Sequence, residues 1–249
     1  MALVDIQGLT IRFPVYGADH RSLKRQITGA VGGSLGRAGP AAPTMVQALS
    51  RVTFRLTPGD RLGLIGHNGA GKTTLLRAIS GAYAPDEGSV LVEGKVASLL
   101  EPTLGMDSFV TGLENIRLRG LLMGLTNRQI KERTEEIAAF TGLGPFLGLP
   151  LKTYSAGMSG RLAFAVSTAV DADVLLMDEW LGAGDAEFRH QAHDRLMALF
   201  AKSKIVVLAS HDMALLRNLC NKFIILRGGV GTPIMTAEEL DRVDLSSDG

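Results

Sequence analysis

Cysteine is almost absent from this chain, with Cys220 alone among 249 residues. A lone cysteine excludes an internal disulfide framework and suits a reducing compartment. No apolar run approaches the ~20 residues that a membrane-spanning helix needs. The N-terminal stretch meets an acid at Asp5 and lacks the basic and apolar regions of a signal peptide. We therefore expect a cytoplasmic chain that reaches a membrane only through a partner.

An excess of either charge is also lacking. The chain has 26 Lys and Arg against 25 Asp and Glu, a net charge of +1, and no block of like charges. Because proteins that bind phosphate backbones usually carry a basic surface, nucleic acid is not an expected partner. The length and the 46% share of hydrophobic residues predict a single domain over residues 1–249, large enough to include an insert.

Apolar patterns along the chain predict an α/β fold. The runs "DVLLMDE" and "KIVVLAS" are continuously apolar, as in parallel strands that are buried on both faces. A helical pattern, "AEFRHQAHDRLMALFAK", lies between them, and this alternation predicts a parallel sheet. Nearer the N-terminus, "ALVDIQGLTIRF", "MVQALSRVTFRL" and "SVLVEGKVASLL" also predict strands.

The middle of the chain has helical spacing instead. We predict a helical insert at about residues 102–170, with a helix that begins at a capping box of Thr126 and Gln129 and ends at Gly142. Residues 28–44 are rich in Gly, Ala and Pro, which predicts a flexible loop between the first strand and the next.

The stretch "GHNGAGKTT" has the spacing of a P-loop, in which backbone N–H groups hold phosphate oxygens and the lysine contacts the terminal phosphates. It lies between an apolar strand, "RLGLI", and a helical pattern, so phosphate would meet the positive end of a helix. A glycine-rich turn matching by chance does not explain both flanking elements. The predicted nucleotide-binding residues here are Gly66, His67, Asn68, Gly69, Ala70, Gly71, Lys72, Thr73 and Thr74.

Acidic and imidazole groups follow two of the predicted strands. Asp178 and Glu179 end "LLMDE", where Asp178 can hold Mg²⁺ and Glu179 can polarise an attacking water. Two acidic residues at a strand end are more often solvent-exposed loop residues without a catalytic role. The P-loop upstream makes the catalytic interpretation the favoured one here. His211 ends "VVLASHD", where it can contact a γ-phosphate and orient the water.

A second helix start carries a phosphate-binding pattern. In "YSAGM", Ser155, Ala156 and Gly157 precede a strongly apolar helical run, so their backbone can bind phosphate. Ser155 is equally suited to be an ordinary helix N-cap. The two interpretations are compatible with each other.

With these motifs in this order, the chain resembles the ATPase subunits of ABC transporters over roughly residues 3–227. The motifs that carry the resemblance are "GHNGAGKTT", "YSAGM", "LLMDE", "GAGD" and "SHD". It implies a P-loop NTPase core with a parallel sheet, an antiparallel β subdomain and a helical insert. It also implies a homodimer with two composite ATP sites, in which the P-loop of one chain faces residues 155–157 of the other.

The resemblance also implies roles for individual residues. Lys72 and Thr73 would hold phosphates and Mg²⁺, Asp178 would hold Mg²⁺, and Glu179 would be the general base. His211 would brace the γ-phosphate, so Glu179, His211 and Lys72 form the expected catalytic set. Asp185 in "GAGD" would communicate across the dimer. An aromatic ring would stack on adenine, and Phe13 and Tyr16 are the candidates.

Two departures from the general family pattern point to one branch. The segment at residues 154–158, the signature motif of the family, reads Tyr-Ser-Ala-Gly-Met in this chain. Glu101 stands where the family usually has a glutamine, and a glutamate keeps an oxygen ligand for Mg²⁺ and adds a negative charge. These features resemble the ATPases that export O-antigen, capsule and teichoic acid. The resemblance implies a separate membrane permease and a peripheral location on the cytoplasmic face of the cell membrane. We expect the helical insert, around residues 101–125, and the basic segment 20–26 to contact that permease.

Three other functions fit the sequence less well. An ABC-type ATPase that acts on nucleic acid would have a long coiled coil between P-loop and signature, or two cassettes, and this chain has neither. A small-molecule kinase would leave the signature and His211 unexplained. An ATPase for import or drug export remains the alternative within transporters.

The length of the chain after His211 bears on how the exported glycan is recognised. A C-terminal β-sandwich that reads a finished glycan needs on the order of 100 residues, and fewer follow His211. We therefore expect that this chain does not bind the exported glycan directly.

Overall fold

The computed structural model describes residues 2–15, 35–36, 44–179 and 186–243. The chain divides into two compact units. Unit 1 consists of residues 1–94, 176–179 and 204–249. Unit 2 consists of residues 95–175 and 180–203, and so includes the predicted insert.

Unit 1 contains an antiparallel sheet in the order β2-β3-β1-β5. Its strands are β1 (Leu3–Val15), β2 (Leu35–Gly36), β3 (Thr44–Leu56) and β5 (Glu87–Glu93). The predicted loop 28–44 is therefore interrupted, because Leu35 and Gly36 pair with Val46 and Met45. A backbone ladder on β3 explains this strand, since the Gly- and Ala-rich stretch has little apolar pattern of its own.

Unit 1 also contains the parallel strands. Strand β4 (Arg61–Ile65) pairs in parallel with β8 (Ile205–Ala209) and with β9 (Lys222–Arg227), and β10 (Val230–Gly231) pairs antiparallel with β9. Residues 176–178 of β7 (Val174–Asp178) follow β8 in the order of this sheet. All residues of β8 are buried, as the continuous apolar run predicted.

Three helices complete the described part of unit 1. Helix α1 (Lys72–Ile79) follows β4, so the P-loop joins a strand end to a helix start. Helix α6 (Met213–Leu219) begins at Asp212, whose carboxylate accepts a hydrogen bond from the Leu215 N–H at 3.0 Å. The third helix is α7 (Ala237–Leu240).

Unit 2 is mainly helical, with the short strand β6 (Val96–Ser98) near its start. Its helices are α2 (Gly112–Leu122), α3 (Asn127–Thr141), α4 (Ala156–Ser167) and α5 (Ala186–Lys202). Helix α3 has the predicted capping box of Thr126 and Gln129 and ends at Gly142 in a left-handed conformation. The buried core of this unit is formed by Ile116, Ile137, Leu143, Leu147, Leu162, Ala165, Val166 and Ala169.

Aromatic rings attach α5 to the rest of unit 2. The ring of Phe188 lies 5.5 Å from that of Phe140 and 5.9 Å from that of Phe164, between centroids, both in edge-on geometry. The guanidinium of Arg195 lies 4.4 Å from the Phe140 centroid, a favourable cation–π distance. Helices α3, α4 and α5 are thus held by one aromatic cluster.

The α/β fold with a parallel sheet, an antiparallel β subdomain and a helical insert is confirmed. Among the residues that the structure describes, no helix has both the length and the apolar character to cross a membrane.

Candidate active site

The P-loop backbone requires its glycines. Gly66, Gly69 and Gly71 all have positive φ angles, of 156°, 81° and 108°, which side chains with a Cβ rarely adopt. A Cβ on Gly66 would lie 2.4 Å from the Leu226 carbonyl oxygen, and one on Gly71 would lie 2.8 Å from that of Ala48. The loop can therefore keep its shape only with glycine at these positions.

Lys72 lies at the first position of α1 and folds back over the loop. Its Nζ donates hydrogen bonds to the carbonyl oxygens of Gly66 at 2.5 Å and His67 at 3.1 Å. Burial lowers the pKa of Lys72, and the charges of Asp178 and Glu179 partly oppose that shift. A nearly buried ammonium held by neutral carbonyls can exchange these partners for phosphate oxygens.

Thr73 and Asp178 bring two predicted metal ligands together. The Thr73 hydroxyl donates a hydrogen bond to the Asp178 carboxylate, which joins the start of α1 to the end of β7. A hydroxyl and a carboxylate oxygen are hard ligands of the type that Mg²⁺ prefers. The two residues therefore fit a Mg²⁺ ion that is held together with nucleotide phosphates.

Glu179 and His211 form the second pair of the site. His211 Nε2 lies 3.4 Å from Glu179 Oε1, and both side chains are exposed. Glu179 has a φ of 63°, which is unusual for a residue with a side chain, and its N–H donates to the Ala209 carbonyl at 2.7 Å. The end of β8 thus holds Glu179 in a strained backbone, a pattern that is frequent at active sites.

The remaining P-loop residues form its outer part. The Ala70 N–H donates to the His67 carbonyl at 3.1 Å, and His67 Nδ1 lies 2.7 Å from the Asn68 carbonyl. Thr74 lies in the first turn of α1. The predicted set from Gly66 to Thr74 is therefore contiguous and lies at a helix start, and the roles of its individual residues stay predictions.

Ser155, Ala156 and Gly157 lie exposed at the start of α4 in unit 2. The Ser155 hydroxyl accepts a hydrogen bond from the Met158 N–H at 3.2 Å, so it is the helix N-cap. A Cβ on Gly157 would meet only Ser155 Oγ, at 3.9 Å. The capping role is therefore observed, and the phosphate-binding role stays a prediction.

The adenine prediction concerns Phe13, which is half-buried near the end of β1. Its ring meets the edge of the Tyr83 ring at a centroid distance of 5.3 Å. Arg77 Nη1 donates to the Tyr83 hydroxyl at 2.9 Å, which fixes that ring. The alternative candidate, Tyr16, lies outside the described residues.

Glu101 is exposed in unit 2, and its carbonyl accepts a hydrogen bond from Arg119 Nη2 at 3.5 Å. Within the described residues, no group of three His, Cys, Asp or Glu side chains could hold a metal ion by itself. The proposed role of Glu101 as a Mg²⁺ ligand thus stays a prediction. Asp185 lies outside the described residues.

Sequence reasoning missed two residues near these segments. Tyr83 carried no motif, and only the fold places it against Phe13. Arg119 lies in a helical stretch with no unusual pattern, yet it is only 3% exposed. The left-handed backbone of Glu179 also has no signal in the sequence, because glycine is the residue that usually marks such a conformation.

Residues 49–182 match the family model described as "ABC transporter". The chain therefore belongs to the ABC transporter family, and it is an ATP hydrolase of this family. The predicted resemblance is confirmed.

Curated relatives share long stretches with the chain. "O-antigen export system ATP-binding protein RfbE" of Yersinia enterocolitica is 42% identical over 92% of this chain and 96% of its own length. "O-antigen export system ATP-binding protein RfbB" of Myxococcus xanthus is 36% identical over 82% of this chain and 48% of its own. "Teichoic acids export ATP-binding protein TagH" of Lactococcus lactis is 38% identical over 73% of this chain and 39% of its own length. The chain thus spans less than half of the latter two relatives.

Solved structures share the fold. The ATP-binding subunit of an ABC transporter superposes with a TM-score of 0.70, at 21% identity, over 96% of this chain and 92% of the other. A dimeric ATP-binding cassette bound to ADP and Pi gives a TM-score of 0.66, at 19% identity, over 94% and 98%. At this identity the likeness concerns the fold alone.

Proposed function

We propose that this chain binds and hydrolyses ATP to power export of a lipid-linked polysaccharide through a separate membrane permease. The observation that carries the proposal is the arrangement in unit 1 of Lys72, Thr73 and Asp178 with the Glu179–His211 pair. These groups provide a phosphate contact, two hard oxygen ligands and a general base at one P-loop.

Each residue then has a chemical task. Lys72 binds the terminal phosphates of ATP, and Thr73 and Asp178 hold Mg²⁺, which when bound neutralises developing charge on the phosphates. Glu179 accepts a proton from the attacking water, and the carboxylate is exposed and so can reach it. His211, at 3.4 Å from Glu179, orients that carboxylate and contacts the γ-phosphate.

Residues 155–157 complete the site of a second copy in a homodimer. The exposed start of α4 offers N–H groups and the positive end of a helix dipole, which suit a γ-phosphate. We include Asp185 as a contact across the dimer, Phe13 or Tyr16 as the adenine platform, and Glu101 as a further Mg²⁺ ligand.

The polysaccharide substrate rests on the relatives. Two of them are named as O-antigen export proteins and one as a teichoic acid export protein, and all three are at least 36% identical. None of these three relatives is named for import or drug export, which was the alternative. We place substrate choice in the permease or in coupling to glycan synthesis, and we expect the isolated chain not to bind the glycan.

A permease is the proposed partner because unit 2 exposes many large apolar side chains. Leu104 is 61% exposed, Phe109 74% and Leu122 61%, and all three lie in or beside the predicted contact region 101–125. Exposed apolar groups of this density favour a protein partner. The second predicted contact, segment 20–26, lies outside the described residues. A peripheral location at the cytoplasmic face of the membrane follows from this partner.

A deletion strain tests the export function. Loss of the gene should leave lipid-linked glycan inside the cell, and expression of the wild-type chain should return the glycan to the surface. A chain with Glu179→Gln should not restore export, whereas Glu238→Gln, a change at an exposed residue far along the chain, should. Normal surface glycan in the deletion strain would reject the proposed substrate.

Cysteine cross-linking tests the partner. Single cysteines at Leu104, Phe109 and Leu122 should form adducts with the permease in membranes, with Glu132→Cys on the exposed face of α3 as the control. The native thiol of Cys220 is buried and gives little background. Absence of adducts at all three positions would reject this surface as the docking site.

A further inference from the structure

Arg119 joins three segments of unit 2. It lies on α2, and its guanidinium donates hydrogen bonds to the carbonyl oxygens of Leu104 and Glu101. It also donates to the Ser167 hydroxyl at 2.8 Å, and that hydroxyl donates to the Ala163 carbonyl at 2.7 Å. One side chain therefore connects the segment that carries Glu101 to α4, the helix that begins at Ser155.

The charge of Arg119 lacks the usual compensation. The side chain is 3% exposed, and no carboxylate among the described residues pairs with it. Its Nε has no hydrogen-bond partner in the described part of the chain, and burial lowers the pKa of the guanidinium to about 10. Burial of an unpaired charge opposes folding, so packing alone would favour an apolar residue here.

Asn115 lies one turn before Arg119 on the same face of α2. It shows that a neutral side chain is sufficient to attach a loop to this helix. Its amide group exchanges hydrogen bonds with the backbone of Asp107, at 2.8 and 2.9 Å. It also donates to Val110 and Thr111. This neutral side chain fastens residues 107–111 to α2 and makes no bond to α4, whereas Arg119 makes both connections.

We propose that Arg119 is a positioning residue that makes residues 101–104 and α4 move as one body during ATP turnover. Glu101 and the Ser155 helix start are then displaced together, so the predicted Mg²⁺ ligand and the predicted γ-phosphate contact are set in one step. This inference rests on the proposed function of both segments. A planar guanidinium suits the task, because its donors can reach two loop carbonyls and a hydroxyl at fixed angles.

Variants at Arg119 separate positioning from folding. In the purified chain, Arg119→Gln should lower kcat by about 10- to 100-fold, because small misplacements of reacting groups have effects of this size. The Kd for ATP should stay unchanged, since the P-loop lies in unit 1. Arg119→Lys should recover part of kcat, and Arg128→Gln, a change of an exposed arginine on α3, should match the wild type.

Amide hydrogen exchange gives a second readout that does not depend on hydrolysis. The Leu104 N–H donates to the Glu101 carbonyl at 3.0 Å, and its exchange should accelerate in Arg119→Gln and in Ser167→Ala. Ser167→Ala removes the link from Arg119 to α4, together with the bond of the hydroxyl to the Ala163 carbonyl within that helix, and keeps the apolar packing. It therefore serves if the arginine variant does not fold. It should lower kcat less than Arg119→Gln does, with Kd unchanged.

The outcomes distinguish this inference from the proposed function. Faster exchange at Leu104 with wild-type kcat in an active enzyme would overturn the positioning role, as would a parallel loss of kcat, ATP affinity and thermal stability. Unchanged exchange in both variants would also overturn it. A wild-type chain that binds ATP and never hydrolyses it would reject the proposed function instead, and the exchange data would still decide the link.

Discussion

The hydroxyl group of Thr73 donates a hydrogen bond to the carboxylate of Asp178, although the two residues are far apart in the sequence. The bond joins the helix that begins at the P-loop to the end of a buried strand. It brings two oxygen ligands into contact beside Lys72, which is held by the Gly66 carbonyl at 2.5 Å. The phosphate-binding lysine and the two oxygen ligands therefore lie together at the P-loop.

Replacement of Asp178 should remove the Mg²⁺ dependence of nucleotide binding. In Asp178→Asn the amide keeps the hydrogen bond from Thr73 and loses the negative charge that a divalent cation requires. Calorimetry with and without EDTA should show equal ATP affinity for the variant, whereas Mg²⁺ should tighten binding by the wild type and by the control Glu238→Gln. A full Mg²⁺ effect in Asp178→Asn would contradict the assignment.

Glu179→Gln should bind ATP normally and hydrolyse it about 10²- to 10⁴-fold more slowly, because an amide cannot accept the proton of the attacking water. Unhydrolysed ATP should hold two chains together. Steady-state phosphate release measures the rate, and light scattering with ATP measures the dimer. Near-normal turnover would show that another residue is the base.

The left-handed backbone at residue 179 should appear in stability measurements. Strain of about 1–2 kcal/mol for a residue with a Cβ exceeds the extra chain entropy of glycine, about 0.5–1 kcal/mol. Urea unfolding should therefore find Glu179→Gly more stable than Glu179→Ala by up to about 1 kcal/mol. At Glu135, within α3, the order should reverse, and the same order at both positions would argue against strain.

Tyr83 should support adenine binding through Phe13. Loss of an edge-on aromatic pair is worth about 0.5–1.5 kcal/mol, so Tyr83→Ala should weaken ATP binding by roughly 2- to 12-fold. Tripolyphosphate lacks the base and should bind both proteins equally. Tyr83→Phe keeps the ring, so its ATP affinity should lie between those of Tyr83→Ala and the wild type. Phe109→Ala, which removes an aromatic ring in unit 2, is the control and should bind ATP as the wild type does. Equal ATP affinity in Tyr83→Ala and the wild type would exclude this support.

Cys220 should make the fold less stable at alkaline pH. Burial raises the pKa of its thiol from 9.0 to about 12, against a smaller opposite effect of Arg61. The unfolded chain ionises first, so this contribution is constant below about pH 9 and declines towards pH 12, by at most about 1.4 kcal/mol per pH unit. The difference in unfolding free energy between the wild type and Cys220→Ala isolates it, because other titrations are common to both. A difference that is independent of pH would contradict the shift.

Local chemistry explains what could be predicted from the sequence. The capping box of Thr126 and Gln129 and the glycine end at Gly142 depend on neighbours within one or two turns, and both are observed. The continuous apolar run of β8 requires burial on both faces, which a parallel sheet provides. The backbone of the P-loop needs positive φ angles, which its glycines adopt. The sequence therefore predicted both the fold and the nucleotide site.

Only the tertiary structure decided the relationships between distant segments. The bond from Thr73 to Asp178 and the pairing of Glu179 with His211 exist because separate strands of one sheet end at the same edge. The ring of Tyr83 against Phe13 and the buried guanidinium of Arg119 depend on packing, which no local pattern encodes. A sequence motif states which groups are available, whereas the distances and burial that give them a chemical task arise when the chain folds.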